Sequence, residues 1–401
     1  MRNRRGRGDD GPSMARMLVF MVVAGGMWLG LHYLFARRLL AGAELSRRHE
    51  KIVWATLAFV AGFPVLMFAG ARLTSVPALY GLQPLAFLLM GVSSVVLSLW
   101  LVGELVRFVG GLVTRVRTGR PVDESRRGFL AKTVNIGVMG GTASVVGIGY
   151  AQASQAPKIV EVEVPIEGLP ASADGFRIVQ LSDVHIGPTL KREFMEQCVA
   201  TANGLDPDIV AVTGDLVDGW VDKLADDVAP LGRLKARHGA YFVTGNHEYY
   251  WDGPAWCAEV ARLGLTVLNN EHRLIEHEGA RLLLAGVTDY GGGKMAQGHV
   301  SDPAKARAGA PEHHASVLLA HQPRSIEAAA AAGYDLQLSG HTHGGQYFPF
   351  NLMVYLAQPY VAGLAKHDDT WIYVSRGTGF WGPPLRVGAP HEITLITLRA
   401  A

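Results

Sequence analysis

The chain has 401 residues, 49% of them apolar and 18% charged, with a formal net charge of +2 near neutral pH. That length holds one large domain with a second element beside it, and the near-balanced charge gives no indication of a nucleic-acid partner. Two cysteines, Cys198 and Cys257, are too few for a disulfide framework and lack zinc-type spacing. Small buried hydrophobes are expected at both positions rather than a bridged pair.

Hydrophobicity is concentrated in residues 1–156, which read as a membrane region of three to four helices. Three uncharged runs, Met17 to Phe35, Ile52 to Gly70 and Pro84 to Gly103, have the length of about 20 residues that a bilayer-crossing helix needs. A fourth, Thr133 to Ala151, is also uncharged but rich in Gly, Ala, Val and Ser, and only mildly apolar. Between the third and fourth runs lie Arg115, Arg117, Arg120, Arg126, Arg127 and Lys132, a density that predicts a cytoplasmic loop; the preceding loop carries only Arg72. The fourth run would then deliver the rest of the chain to the outside of a cytoplasmic (inner) membrane. Arg2, Arg4, Arg5 and Arg7 at the N-terminus pull the other way, so the first span's orientation stays open.

Residues 125–153 resemble an internal twin-arginine export signal. Ser125-Arg126-Arg127-Gly128-Phe129-Leu130 leads into the mild apolar run, and Ala151-Gln152-Ala153 has the form of a signal-peptidase site. The segment is thus either a retained anchor or a cleaved one.

Residues 157–401 read as an α/β domain. Strands are predicted at Ile159–Val164, Phe176–Leu181, Asp208–Thr213, Ala240–Thr244, Arg281–Val287, Ala315–Ala320, Tyr334–Leu338, Trp371–Ser375 and Ile393–Leu398, and helices at Leu190–Leu205 and Leu224–Ala236. Five of these strands run into metal-capable groups: Asp183 and His185, Asp215, Asn246 and His247, His321, and His341 with His343. Ligand sites in open α/β sheets gather at the carboxyl ends of strands. Carboxylate, amide and imidazole donors converging there have the composition of a two-metal oxygen/nitrogen site. His313 and His314 read as a solvated turn, while His238, His272, His277 and His367 fit no motif.

The order Asp183-x-His185, Gly214-Asp215-x-x-Asp218, Gly245-Asn246-His247-Glu248, His321, Gly340-His341-x-His343 resembles the calcineurin-like metallophosphoesterases. Gly382-Pro383-Pro384-Leu385-Arg386 and Pro390-His391-Glu392-Ile393 are similar to the tail of a bacterial branch with exported and membrane-linked phosphodiesterases. The resemblance implies a four-layer α/β/β/α sandwich of two mixed sheets, and two divalent metal ions (manganese, iron or zinc). Asp183, His185 and His343 would hold one ion, Asn246, His321 and His341 the other, with Asp215 bridging. A hydroxide held between the ions would attack phosphorus. His247 would act near the leaving oxygen as acid or positive charge, and Asp218 and Glu248 would orient ligands and loops.

The implied activity is hydrolysis of a phosphate ester, foremost a phosphodiester. A phosphomonoesterase, a hydrolase of lipid-linked nucleotide-sugar pyrophosphates and an inert receptor or scaffold on the same fold remain as alternatives. Arg324 and Arg376 follow strand ends and are candidates for phosphate contact or plain ion pairs. The apolar stretch Phe348 to Leu356 suggests a lipid or cell-envelope substrate, but core packing is the expected role.

Overall fold

A computed structural model describes residues 14–41, 45–73, 77–119 and 123–401. The N-terminal arginines and Arg120 lie outside the described residues. The chain divides into two compact units, an α/β unit formed by Ala153–Trp381 with Gly388–Ala401, and a helical unit that also takes in Gly382–Val387.

The helical unit contains α1 (Met14–Leu40), α2 (Arg47–Leu73), α3 (Pro77–Thr118) and α4 (Glu124–Ala153). Among the described residues, three helical segments are long and apolar enough to cross a membrane: Arg47–Phe68, Tyr80–Thr118 and Gly128–Ala153. The mild fourth run is therefore one of the three, and the first run, Met17 to Phe35, is not among them. Phe35, Leu97, Trp100 and Val138 pack inside the unit, and a partly exposed ion pair joins Arg38 Nε to Glu104 Oε1 at 3.0 Å. Large apolar side chains such as Val22, Leu66, Phe108, Val116 and Ile136 face outward. This inversion of a soluble bundle's pattern suits lipid as the surrounding solvent.

The basic stretch expected as a loop is mostly helix. Arg115 and Arg117 occupy the last turn of α3, and Arg126, Arg127 and Lys132 lie within α4. A helix satisfies its own backbone and Lys and Arg reach water along their stems, so helices run past the apolar layer without penalty. The Gly382–Val387 segment, read from sequence as a catalytic-domain tail, clusters with the helices; the Arg386 N–H donates to the Gly149 carbonyl at 2.9 Å.

The α/β unit runs β1 (Lys158–Ile166), β2 (Arg177–Leu181), α5 (Arg192–Gly204), β3 (Ile209–Val212), α6 (Val221–Val228), β4 (Ala240–Phe242), α7 (Asn246–Tyr250), α8 (Gly253–Arg262) and β5 (Thr266–Val267). It continues through β6 (Glu271–His277), β7 (Ala280–Gly286), α9 (Pro303–Arg307), β8 (Ala315–Leu319), α10 (Ile326–Ala331), β9 (Leu336–Ser339), α11 (Phe350–Met353), β10 (Gly363–His367), β11 (Thr370–Val374) and β12 (Glu392–Ala400). Two six-stranded sheets result, ordered β1-β12-β2-β3-β4-β5 and β10-β11-β9-β8-β7-β6. Both are mixed: β2 through β5 run parallel while β12 opposes β2, and β7, β8, β9 and β11 run parallel while β6 and β10 are antiparallel to their neighbours.

The period-two geometry of strands sorts side chains into layers. Ile178, Ile209, Tyr241, Leu284, Val317, Leu338 and Ile396 fill the space between the sheets. Val179, Leu181, Val210 and Phe242 point out under α5 and α8, against Met195, Cys198 and Trp256. Leu283, Leu318 and Ile372 do the same on the other side with Ile326 and Ala329 of α10. The result is a four-layer α/β/β/α sandwich. Gln180 ties the sheets beneath the strand ends, donating from Nε2 to Thr213 Oγ1 at 2.8 Å and to the Ser339 carbonyl at 2.9 Å.

Two expectations change. The helix predicted over Leu224–Ala236 stops at Val228 and continues as a 3-10 turn, Ala229–Arg233, containing Pro230; proline has no N–H to carry the α-helical ladder onward. Strands β5, β6 and β10 were not anticipated. All three are sheet edges, where one side is unpaired and polar side chains such as Glu271, Arg273 and Lys366 replace an apolar run.

Candidate metal centre

The carboxyl ends of β2, β3, β4, β8 and β9 carry the sequence-predicted residues. Five of these, Asp183 (φ 53°), His185 (φ 53°), Asp215 (φ 49°), His341 (φ 71°) and His343 (φ 51°), have left-handed backbones. Non-glycine residues seldom adopt that conformation, and strain of this kind persists where surrounding structure imposes it, commonly at functional sites. Each left-handed turn redirects its side chain off the strand axis toward the space between the loops. Small neighbours permit the crowding: a Cβ on Gly340 would run into Ser182 Oγ and Asp183 Oδ2, and one on Gly245 into the Asp215 carboxylate.

Three three-donor groups form there: Asp183 with His185 and His343, Asp215 with His321 and His341, and His185 with Asp218 and His247. In the first, His343 Nε2 lies 3.0 Å from His185 Nε2 and 3.6 Å from Asp183 Oδ1. Asp215 Oδ2 sits between the groups, 3.1 Å from His321 Nε2 and 3.9 Å from His185 Nε2. Asn246 opens α7, and the next residue's backbone N–H donates to Asp215 Oδ1 at 2.8 Å.

Orphaned atoms test whether these residues fit a metal pair. Asn246 Oδ1 and His321 Nε2 are buried and make no hydrogen bond. His321 Nδ1 is 2.8 Å from the Thr213 carbonyl, so Nδ1 keeps a proton, and in the neutral ring Nε2 is left with a lone pair. An orphaned amide oxygen and an orphaned imidazole nitrogen beside a buried carboxylate suit a cation, so the donor set fits.

The electrostatics agree. Burial raises the Asp183 carboxyl. Burial also opposes ionisation of Asp215, but His321, His247 and His185 hold it well below the usual range. Burial lowers His321, yet Asp215, Asp183 and Asp289 together raise it well above an ordinary histidine. Burial, then the neighbouring His321 charge, lowers His341 to about 3, leaving it neutral. In the absence of metal, protons on histidine balance the clustered carboxylates; a divalent cation would displace them.

His247 belongs to the group it shares with His185 and Asp218. Burial lowers its pKa, but Asp215 and then Asp218 overcome this and raise it to about 9. Its Nδ1 is 2.5 Å from Asp218 Oδ1, and its Nε2 is 3.9 Å from Asp215 Oδ2. The ring packs edgewise near Tyr250 and Trp381. Asp218 reaches a second imidazole through Oδ2, 2.9 Å from His185 Nδ1. Glu248 accepts backbone N–H bonds from Gly245 at 2.6 Å, Leu216 at 2.7 Å and Asp215 at 3.0 Å, locking the β3 and β4 loops together.

Other expectations separate. Arg376 pairs with buried Glu392 at 3.1 Å. Arg324 lies over the Tyr290 ring and donates to the Ala357 carbonyl. Phe348–Leu356 is not core: Phe350, Leu352, Met353, Tyr355 and Leu356 are exposed, the last at 89%. The loop that follows His343 turns them outward on α11 and the succeeding turn. Both cysteines are free and buried. Sequence reasoning missed Asp289, fully buried beyond β7, which accepts from Gln322 Nε2 at 2.9 Å. Val287-Thr288-Asp289 ends a strand in a carboxylate, the same signal as at Asp183 and Asp215.

Comparison with known proteins places these features among relatives. The family described as calcineurin-like phosphoesterase matches residues 176–345. A zebrafish (Danio rerio) transmembrane protein with metallophosphoesterase domain is 37% identical over 328 residues, covering 80% of this chain and 74% of the relative. That match is longer than the α/β unit and so extends into the helices. Its Bos taurus counterpart is 42% identical over 299 residues, 71% of this chain and 67% of the relative; similarity thus reaches beyond bacterial proteins. The solved 5'-nucleotidase precursor from Thermus thermophilus superposes over 55% of this chain and 54% of its own, with TM-score 0.35 and 15% identity.

Proposed function

The chain belongs to the calcineurin-like phosphoesterase family and is a metal-dependent phosphoester hydrolase, and on that footing we propose that it is a membrane-tethered phosphodiesterase acting on the outer side of the membrane. The inert receptor or scaffold is set aside. Residues 1–156 are taken as the membrane region and 157–401 as the catalytic domain. The observation that carries the reading is the shared position of Asp215 between two three-donor groups.

In this reading Asp183, His185 and His343 would hold one divalent ion, Asn246, His321 and His341 the other, and Asp215 would serve both. Such a pair supplies Lewis-acid polarisation of a phosphoryl oxygen and acidifies water. The chain's own residues do the rest. His185 and His321 are fixed by Asp218 and the Thr213 carbonyl in the tautomer that presents Nε2. His247, held protonated by Asp218 and Asp215, offers Nε2–H to the leaving oxygen as charge builds there. The Trp381 and Tyr250 rings pack edgewise on His247 at that side.

The exposed Phe350, Leu352, Met353, Tyr355 and Leu356 follow directly from the His341–His343 loop. An apolar prominence beside a phosphate site, on a chain with bilayer-length helices, supports a lipid or cell-envelope diester as substrate.

The test is turnover by the full-length chain in detergent, metal-depleted and reloaded with manganese, on bis-p-nitrophenyl phosphate, p-nitrophenyl phosphate and a lipid pyrophosphate in parallel. Metal-dependent cleavage of the diester is expected. Cleavage of the monoester alone would replace this reading with a phosphatase, and turnover of a lipid pyrophosphate alone with a pyrophosphate hydrolase.

A further inference from the structure

At the opposite ends of the strands lies a second cluster that the phosphoesterase reading leaves unused. Asp208 precedes β3 and His238 precedes β4, while His277 is the last residue of β6. From Asp208 to Asp215 the chain spans on the order of 20 Å at the rise of a strand, so this cluster is separate from the catalytic centre. We propose that Asp208, His238 and His277 form a third divalent-cation site, of zinc type, that ties the first sheet to the β6–β7 hairpin of the second.

Geometry carries the assignment. One donor atom from each residue lies within 4.8 Å of the other two. His238 Nε2 is 3.1 Å from His277 Nδ1, which is 3.6 Å from Asp208 Oδ1. Zinc bonds of about 2.0–2.2 Å to imidazole and carboxylate in a tetrahedron place neighbouring donors about 3.3–3.6 Å apart. The measured separations straddle that edge. A hydrogen bond between the two rings accounts for the shorter one alone.

Each donor is also held. Asp208 Oδ2 accepts the Arg177 N–H at 2.8 Å, leaving Oδ1 for the imidazoles. The His238 N–H donates to the Asp208 carbonyl at 2.7 Å, so the two residues are tied through backbone. His277 pairs with Ala280 across a turn whose Glu278 and Gly279 have left-handed φ of 50° and 84°. The Phe176 ring stacks on His238 and meets His277 edge-on, setting both ring planes. Burial, then His277, lowers the His238 pKa, which favours the neutral ligand form. His277 is buried, whereas Asp208 and His238 reach the surface, which gives a path for the ion and a water as fourth ligand.

The experiment loads the chelator-stripped full-length chain with cobalt(II) or zinc and counts bound metal by mass spectrometry. His238→Ala and Asp208→Asn should each bind one equivalent less than wild type and lose the intense visible absorption of tetrahedral cobalt, with diester turnover unchanged. Asn at 208 still accepts the Arg177 N–H, so that variant separates charge from folding. His343→Ala should keep the band while losing turnover, so failure of the catalytic reading is distinguishable. Equal stoichiometry and equal spectra in wild type and both cluster variants would overturn the site.

Discussion

Replacing Asp218 by Asn tests the electrostatic frame around the leaving-group side. The native carboxylate holds two imidazoles, His247 at 2.5 Å and His185 at 2.9 Å, both through Nδ1. An amide of the same shape offers one acceptor atom and no charge. A carboxylate within hydrogen-bond reach typically raises a partner's pKa by about 1–3 units. His247, raised to about 9 by burial-opposed contacts with Asp215 and Asp218, should therefore fall to about 6–8 in the variant. At pH 8.5 its protonated fraction would drop from about 0.8 to roughly 0.2 at the upper end of that range and to below about 0.01 at the lower, by simple titration. Loss of the ring's orientation and of the His185 support adds to this, so a total decrease of about 10–100-fold is expected.

Bound cations near Asp215 would lower His247 in both proteins, so the difference between them is the quantity read. The assay is kcat/KM for bis-p-nitrophenyl phosphate across pH 6–10, with metal content measured in parallel. The alkaline limb should move to lower pH while bound metal stays near wild type. An unmoved limb at full metal content would refute the role of Asp218 in holding His247 charged. Stability has a matching sign. A histidine raised from 6.5 to about 9 contributes stability that is fully present below pH 6.5 and lost as pH rises through 9, about 3 kcal/mol over the interval. The metal-free wild type should lose thermal stability over that window, and Asp218→Asn should lose less.

Asp183→Ala and His343→Ala should each remove one ion and reduce turnover by about 10²–10⁴-fold with unfolding midpoints near wild type, since burial already disfavours the Asp183 charge; a fully active variant would refute the ligand assignment. Gly340→Ala forces a Cβ against Asp183 Oδ2 and Ser182 Oγ, so metal affinity should fall while circular dichroism is retained, and unchanged metal content would contradict the close approach. Burial raises the thiols of Cys198 to about 12 and Cys257 to about 11. The native protein should therefore resist a thiol reagent at pH 8 and react at both cysteines only when unfolded; prompt labelling would show an opening not seen here. Because these thiols keep their protons longer when folded, their contribution to stability is present below the unfolded value near 9 and is lost as pH rises beyond it.

Much of this protein was legible in the chain. Apolar runs such as Ile209–Val212 and Ala315–Leu319 marked the central strands, because a strand covered on both faces needs an unbroken apolar sequence. The metal-capable residues were legible for a related reason: Asp, Asn and His stand out where a buried strand stops, and glycines such as Gly214 and Gly340 flag the crowding. The edges were not. Strands β6 and β10 carry polar side chains because an edge faces water, so their sequences resemble loops until a neighbour pairs with them.

Only tertiary structure decided the rest. Left-handed φ at Asp183, Asp215 and His343 is imposed by loops converging from two sheets, and no local propensity predicts it. Asp218 acts on two imidazoles because β2, β3 and β4 lie side by side. The Phe348–Leu356 stretch is as apolar as a core strand, and its exposure follows from the turn after His343. Asp208, His238 and His277 share no motif; the two sheets meet at that rim and bring them together. Local sequence sets which backbone forms are affordable and which side chains carry chemistry, while the distances between residues remote in the chain come from packing the sheets.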